Sequence, residues 1–418
     1  MTPRRFLIGA ASVLAVLFAA GLTLAWHPAI APEPAPVRAS FQRSQIERGA
    51  ELAAIGDCAV CHTRPGGPAY AGGRAIPTPF GRVYSTNITP DEATGIGAWS
   101  EPAFRRAMRD GIGRDGRHLY PVLPYPHFTR ATDDDIAALY AFAMSRTAVH
   151  EAKPSNLLGF PFNQRLLLAG WNLLFLRPGP WQPDPAQDAE WNRGAYLVEG
   201  VGHCGACHTP HNALGAERGE DRFAGGAAEG WYAPPLQAAN PAPLPWTAAE
   251  LAAYLRTGYS PQHGAAAGPM TPVTAELARV PEADIVAMAT YIASLLPHQT
   301  EASLKPQPEN GDANATALFA GACGSCHALD APMTRNGAPP LTANTGLHER
   351  TPVSFIQVIL HGIPWQEGRA APYMPGFADT LTDAQIAELA TYVRRRFGGQ
   401  PAAITPDDVA RVRSGGGT

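Results

Sequence analysis

Three pentapeptides of the form Cys-x-x-Cys-His contain all six cysteines of this 418-residue chain. Two thiols separated by two residues can reach the two vinyl groups on one edge of a porphyrin and form thioethers. The adjacent histidine then offers its imidazole to the iron as the proximal ligand. The pattern therefore predicts three covalently bound haem c groups. The attaching cysteines and proximal histidines are Cys58, Cys61 and His62, then Cys204, Cys207 and His208, then Cys323, Cys326 and His327.

Other uses of paired cysteines fit the spacing less well. A structural zinc site brings two pairs together over short loops, whereas these pairs are separated by more than a hundred residues. A thioredoxin-like pair needs no histidine after the second cysteine and expects a βαβ setting. Disulfides would close three two-residue loops and constrain little of the chain. Covalent haem attachment is the interpretation that uses every residue of the motif.

Each motif lies between two predicted helices, so the chain contains an internal repeat. The first helix is indicated by Arg48-Gly49-Ala50, by Arg193-Gly194-Ala195 and, more loosely, by residues 315–319. The second begins at Thr132, Pro281 and Thr382, where acidic or amide residues follow and apolar residues recur on one face. These helices predict three small haem-binding bundles, each with a long loop around its porphyrin.

The sixth iron ligand should come from the loop before the second helix, and methionine is a common choice. Met270 and Met374 occupy matched positions there, fifteen and twelve residues before Ile285 and Ile386. A methionine in a loop can also be a core residue. Because the two positions match in the repeat, we predict both as axial ligands.

The first repeat departs from this pattern. Leu123 stands at the matched position and cannot bind iron. His127 lies four residues further along the same loop and is the leading candidate ligand, with His118 and an open coordination site as alternatives. Because methionine ligation raises the reduction potential of a haem, a second histidine would make haem 1 the lowest-potential centre.

Composition limits the setting and partners of the chain. The net charge of −4 gives no basic field for nucleic acid, and 45% hydrophobic content allows packed cores. Arg4 and Arg5 precede an uncharged run from Phe6 to Trp26, which is long enough for a transmembrane helix. A cleaved signal peptide is the alternative. The positive-inside rule then predicts an inner (cytoplasmic) membrane protein with an N-terminal anchor and haem domains in the periplasm.

The predicted fold class is all-α, with three cytochrome c-type haem-binding domains in tandem after one N-terminal transmembrane helix. The linker at residues 151–187 contains an apolar stretch that could pack between domains or meet a membrane or partner. The glycine-rich C-terminus predicts a disordered tail. The domain bounds are residues 1–40 (anchor and Pro-rich linker), 41–150 (domain 1), 151–187 (linker), 188–298 (domain 2), 299–310 (linker), 311–399 (domain 3) and 400–418 (tail).

The chain resembles the three-haem cytochrome c subunits of bacterial membrane-bound dehydrogenases over essentially all its length after residue 31. The resemblance is carried by residues 53–63, 85–91 with 95–97, 115–121, 171–175, 191–197 and 202–210. It implies a subunit that accepts electrons from a separate catalytic dehydrogenase subunit using PQQ, flavin or molybdopterin. Such subunits pass the electrons to ubiquinone or a terminal oxidase.

The loop from Leu123 to Thr129 refines this expectation. The alcohol and gluconate branches of the family have methionine where this chain has Leu123, so the loop is more similar to the branch that accompanies molybdenum hydroxylases. Those enzymes oxidise aldehydes or N-heterocycles. Because the first repeat lacks the methionine, a protein of a different functional class, a haem peroxidase with an open haem 1, remains an alternative. A haem-based sensor is a further class, but it would need an output domain that the sequence does not offer.

Overall fold

The structure, a computed structural model, describes residues 21, 23, 25–296, 304–308, 313–332, 340–365 and 372–415. The chain divides into two compact units. The first contains residues 1–53 and 58–182, and the second contains residues 54–57 and 183–418.

Unit 1 contains the first haem motif, a 3-10 helix (Arg38–Ser40), several α-helices and one small sheet among its described residues. The helices are α1 (Arg43–Ile55, which ends inside unit 2), α2 (Cys58–Cys61), α3 (Glu101–Asp110), α4 (Tyr125–Phe128), α5 (Asp133–Met144) and α6 (Leu167–Phe175). The strands are β1 (Ala75–Thr78), β2 (Gly81–Tyr84) and β3 (Leu157–Leu158). They pair antiparallel in the order β1-β2-β3, with Ala75 opposite Tyr84 and Gly81 opposite Leu158.

The first and last helices of the haem domain in unit 1 cross at a glycine. A Cβ on Gly49 would lie 2.0 Å from the carbonyl oxygen of Ala138, so α1 and α5 approach more closely than any side chain permits. Beside this crossing, the Arg48 guanidinium meets Asp135 at 3.1 Å. Thr132 begins α5 by accepting a hydrogen bond from the Asp135 amide, which confirms the predicted helix start.

Unit 2 contains the second and third motifs. Its helices are α7 (Ala189–Glu199), α8 (Gly205–His208), α9 (Ala248–Thr257), α10 (Met270–Leu277), α11 (Glu282–Leu295), α12 (Ala313–Ala322), α13 (Gly324–His327), α14 (Thr345–His348), α15 (Val353–His361), α16 (Asp383–Gly398) and α17 (Pro406–Arg413). Its strands form two antiparallel pairs, β4 (Gly226–Ala228) with β5 (Trp231–Ala233) and β6 (Tyr259–Ser260) with β7 (Gly264–Ala265).

The second haem domain repeats the helix crossing of the first. A Cβ on Gly194 would lie 1.9 Å from the carbonyl oxygen of Ala287, and Arg193 pairs with Asp284 at 2.8 Å. In the third domain the first helix, α12, packs against α16 with Ala315 fully buried. In the third domain Gln385 occupies the position that Asp135 and Asp284 hold in the other two domains, and its side chain closes a capping box with Thr382.

The predicted all-α fold with a leading transmembrane helix is wrong. Three small antiparallel sheets lie in segments where proline and glycine suggested plain loops, because short runs such as residues 75–84 can pair across a tight turn. The proposed span from Phe6 to Trp26 lies almost entirely outside the described residues. Across the residues that are described, every helix is too short or too polar to cross a bilayer.

The C-terminal prediction also needs correction. Residues 406–413 form α17, which begins with a capping box between Thr405 and Asp408. Val409 and Val412 are buried against α15 and α16. The glycine-rich end of the sequence favoured disorder, although the threonine, proline and acidic residues at the beginning of this helix are ordinary signs of a helix start.

Candidate haem sites

Each Cys-x-x-Cys-His motif folds as one short helical turn directly after a longer helix. The histidine amide donates to the carbonyl oxygen of the first cysteine at 2.9 Å in the first and third motifs and 3.0 Å in the second. In a helical turn, residues three and four apart lie on the same side. The turn therefore brings two thiols and one imidazole to one face. The six cysteines are all free of disulfide bonds, as haem attachment requires.

Two of the three motif histidines are held by a backbone carbonyl. The Nδ1 of His62 lies 2.6 Å from the carbonyl oxygen of Thr86, and the Nδ1 of His208 lies 2.7 Å from that of Pro234. A carbonyl can only accept, so Nδ1 carries the proton and Nε2 presents a lone pair. This orientation is what a proximal iron ligand requires. Both sites therefore fit a covalently attached haem.

Burial favours the neutral imidazole at all three motifs. It lowers the pKa of His62, His208 and His327 below the ordinary value for histidine, while the carbonyl partners of the first two oppose that shift. A neutral ring is the form that binds metal.

The candidate distal positions share one structural landmark. Each lies twelve residues after a glycine with positive φ that ends a helix: Gly111 (φ 64°) for Leu123, Gly258 (φ 74°) for Met270 and Gly362 (φ 69°) for Met374. Only glycine adopts this conformation without strain. Gly111 and Gly258 are left-handed, with ψ of 31° and 15°, whereas Gly362 has ψ −165°. The common spacing of twelve residues, and not a common loop path, supports the sequence alignment of the repeats.

Met270 and Met374 are both partly buried in these loops. Met270 is the first residue of α10, and Met374 exchanges backbone hydrogen bonds with Ile363 at 2.9 and 3.0 Å. Their assignment as axial ligands stays a prediction.

The loop of the first haem domain places the two histidine candidates differently. His127 is buried in the short helix α4, on the same turn as Tyr125. His118 is also buried, but its Nε2 lies 2.9 Å from the carbonyl oxygen of Ala25, and its ring meets the ring of His27 edge-on. The Nε2 of His118 is therefore already engaged, and only its Nδ1 has no hydrogen-bond partner. His127 remains our predicted sixth ligand of haem 1.

The predicted linker after domain 1 holds this loop in place. The Tyr125 hydroxyl donates to Asn172 Oδ1 at 2.6 Å, and the Asn172 amide donates to the carbonyl oxygen of Asp110 at 3.2 Å. Burial raises the pKa of the fully buried Tyr125, so its hydroxyl keeps its proton and remains a donor. Sequence reasoning missed this role of α6, whose apolar character hid the one polar residue that faces inward.

A buried carboxylate beside the second motif was also missed. Glu199 ends α7 five residues before Cys204 and is 4% exposed. It accepts hydrogen bonds from the Tyr291 hydroxyl and, at 2.7 Å, from Arg222. The other repeats have Ala53 and Leu318 at this position, so a repeat alignment could have identified the acid.

These helical pairs, with a Cys-x-x-Cys-His turn after the first helix and a distal loop before the second, define a c-type cytochrome. Comparisons with known proteins agree. The profile described as cytochrome c matches residues 46–147, and that of subunit III of cbb3-type cytochrome c oxidase matches residues 310–393. Covalently bound haem c is thus the cofactor of this chain.

Relatives over most of the chain identify the family. The fructose dehydrogenase cytochrome subunit of Gluconobacter japonicus is 36% identical over 98% of this chain and 90% of its own length. The gluconate 2-dehydrogenase cytochrome c subunit of Pantoea cypripedii is 36% identical over 88% and 89%. The chain belongs to the family of cytochrome c subunits of membrane dehydrogenases.

One relative is more similar but much longer. A nicotinate dehydrogenase subunit of Pseudomonas putida is 49% identical over 93% of this chain. The chain spans only about a third of that protein, 34% of its length.

Proposed function

We propose that this chain carries three covalently bound haems c and relays single electrons from a catalytic dehydrogenase subunit to quinone or a terminal oxidase. The observation that carries the proposal is the threefold Cys-x-x-Cys-His turn, with Nδ1 of His62 and His208 fixed by carbonyl oxygens. The haem supplies a one-electron couple when bound. The protein supplies attachment, a fixed imidazole and a buried setting.

Packing within unit 2 supports a relay between the second and third haem domains. Strand β5 precedes Pro234, whose carbonyl holds His208, and it also contacts α15 of the third domain. The Tyr232 amide donates to Ser354 Oγ at 2.9 Å, and that hydroxyl donates back to the Tyr232 carbonyl at 2.9 Å. The segment that orients the second proximal histidine is thus tied directly to the third domain.

We propose a molybdenum hydroxylase as the partner, acting on an N-heterocycle or an aldehyde. Two observations support this choice. The loop with Leu123 and His127 departs from the methionine of the alcohol and gluconate branches. In addition, the 49% identical relative is named as a subunit of nicotinate dehydrogenase, and nicotinate is an N-heterocycle. A PQQ or flavin dehydrogenase for alcohols or sugar acids is the alternative, supported by the relatives at 36% identity.

We place the haem domains on the export side of the cytoplasmic membrane. The support is the covalent haem itself, since haem c is attached after export, together with Arg4, Arg5 and the uncharged run that follows them, a pattern typical of an export signal. The proposed acceptor, quinone or a terminal oxidase, lies in or on the same membrane.

The test is to purify the chain with its native partner and record the haem absorbance after adding one substrate at a time. Nicotinate or an aromatic aldehyde should reduce the haems, whereas ethanol, gluconate and fructose should leave them oxidised. Reduction by ethanol or a sugar acid alone would overturn the molybdenum partner but keep the relay. Haems that stay oxidised while the same complex reduces an added dye would overturn the relay.

A further inference from the structure

One side of α6 in unit 1 is apolar and exposed, and it takes no part in the candidate haem sites. Leu166, Leu167, Leu173 and Leu174 are 51%, 57%, 79% and 57% exposed. At about 100° per residue these four positions fall on one side of the helix, with Gly170 between them. We call this side the leucine face.

The opposite side of α6 is also apolar but is packed. The Trp171 ring meets Tyr125 edge-on, and it also contacts Phe175 on the same helix. Asn172, on the same side, bonds to Tyr125 and to the carbonyl of Asp110. A helix that is apolar all round is normally covered on every side. The leucine face therefore calls for a covering surface.

Further exposed apolar residues lie shortly before α6 in the chain. Phe160 and Phe162, in the loop that leads to α6, are 82% and 42% exposed. An open groove of about 700 Å³ borders the same N-terminal end of α6, lined by Leu166, Arg165 and Trp26 among others. Trp26 is 69% exposed and closes the uncharged run of the sequence. Large exposed apolar patches are rare on soluble proteins and mark contact sites.

Charge favours a lipid surface over a protein partner. Residues 152–183 contain Lys153, Arg165 and Arg177 but no aspartate or glutamate, although the whole chain has 36 acids and 32 basic residues. Binding of a protein to an anionic bilayer grows with the apolar area that it buries there and with the attraction of nearby basic residues to the lipid. Exposed tryptophan beside it is also typical of that interface.

We propose that the leucine face, with Phe160 and Phe162, inserts into the headgroup region of an anionic lipid bilayer. Unit 1 would then rest on the membrane surface through α6. The proposal rests on the export-side membrane location given above and assigns it a specific surface. Because α6 also holds Tyr125 in the distal loop of the first haem domain, this contact would set the first haem domain close to the membrane.

The experiment measures local contact as well as overall binding. The full-length holoprotein is mixed with vesicles of phosphatidylglycerol in phosphatidylethanolamine, or with phosphatidylcholine alone. Flotation gives overall binding, and hydrogen exchange of peptides from residues 160–176 gives contact at the leucine face itself. This second readout does not respond to binding through any other segment, including residues 6–26. The test variant is Leu173→Ser with Leu174→Ser, and the matched control is Leu214→Ser with Leu329→Ser, leucines of unit 2 that are 50% and 54% exposed.

Anionic vesicles should slow exchange in residues 160–176 of the wild type and the control, and phosphatidylcholine should do so less. The test variant should need a vesicle concentration about tenfold higher or more to reach the same protection. Unchanged exchange on anionic vesicles would overturn the proposal. The proposal would also be overturned if the wild type were a dimer in lipid-free buffer and the test variant a monomer, because the leucine face would then bind a second copy of the chain. Loss of the dehydrogenase partner from the test variant would overturn it too. Substrate-driven haem reduction, measured on each variant purified with its dehydrogenase partner, separates failure of this proposal from failure of the relay.

Discussion

The substitution Gly194→Ala tests the architecture of the second haem domain. A Cβ at this position would lie 1.9 Å from the carbonyl oxygen of Ala287 and 2.8 Å from Cβ of Tyr291. Ordinary contact begins near 3.4 Å, so the backbones of α7 and α11 must move apart by about 1.5 Å. The obstacle is backbone, which cannot rotate out of the way as a flexible side chain can.

The expected loss follows from this geometry. Overpacking a tight core usually costs about 1–3 kcal/mol, and a backbone obstacle puts Gly194→Ala at the upper end, about 3 kcal/mol. For a unit of this size each kcal/mol lowers the melting temperature by roughly 2–4 °C, which gives a fall of roughly 6–12 °C. Displacing α7 also moves the second motif, which begins five residues after α7 ends, so the haem 2 spectrum should broaden.

The assay is calorimetry of the holoprotein, with Gly321→Ala as the control in the same unit. Gly321 lies in α12, and a Cβ added there would have no neighbouring atom within 4 Å, so alanine should be neutral or stabilise by up to about 1 kcal/mol. Equal melting temperatures for Gly194→Ala and the wild type would refute the reasoning about the helix crossing. A loss as large in the control would mean that any added methyl group destabilises unit 2.

Three further predictions concern single groups. Burial raises the pKa of Glu349 to about 8, although Arg394 opposes the shift, so the folded form keeps a proton that the unfolded form releases near pH 4.5. The melting temperature should therefore fall as pH rises from about 5 to 8, and Glu349→Gln should remove that pH dependence. Parallel pH profiles for the wild type and the variant would contradict the assignment. Glu199→Gln removes a buried negative charge beside the second motif and should raise the reduction potential of haem 2 in a potentiometric titration. An unchanged potential of haem 2 would contradict this prediction. His127→Ala should convert haem 1 from low-spin to high-spin in the electron paramagnetic resonance spectrum; a wild type that already contains a high-spin haem would instead favour the peroxidase alternative.

The parts of the fold that depend on local pattern were predictable from the sequence. The repeat gave the first and last helices of each haem domain, and Thr132 and Thr382 begin their helices as predicted. The helical turn at each motif also follows, because the spacing of two cysteines and a histidine already places them on one side of a helix.

The contacts that depend on tertiary packing were not predictable. Backbone carbonyls of Thr86 and Pro234 orient the proximal histidines, and a carbonyl gives no signal in residue type. The hairpin at residues 75–84 and the bond from Tyr125 to Asn172 join segments whose pairing no periodicity indicates. The apolar stretch that forms α6 was visible, but only the structure separates its packed side from its exposed leucine face.

The most direct test of the account follows the electrons through the purified complex. We compare the wild type with three variants in which one pair, Cys58 and Cys61, Cys204 and Cys207, or Cys323 and Cys326, is replaced by serine. Each variant should lose one covalent haem by intact mass, and substrate should reduce all three haems of the wild type to completion through the dehydrogenase. A wild type with only two haems, or haems that substrate never reduces, would contradict a three-haem electron relay.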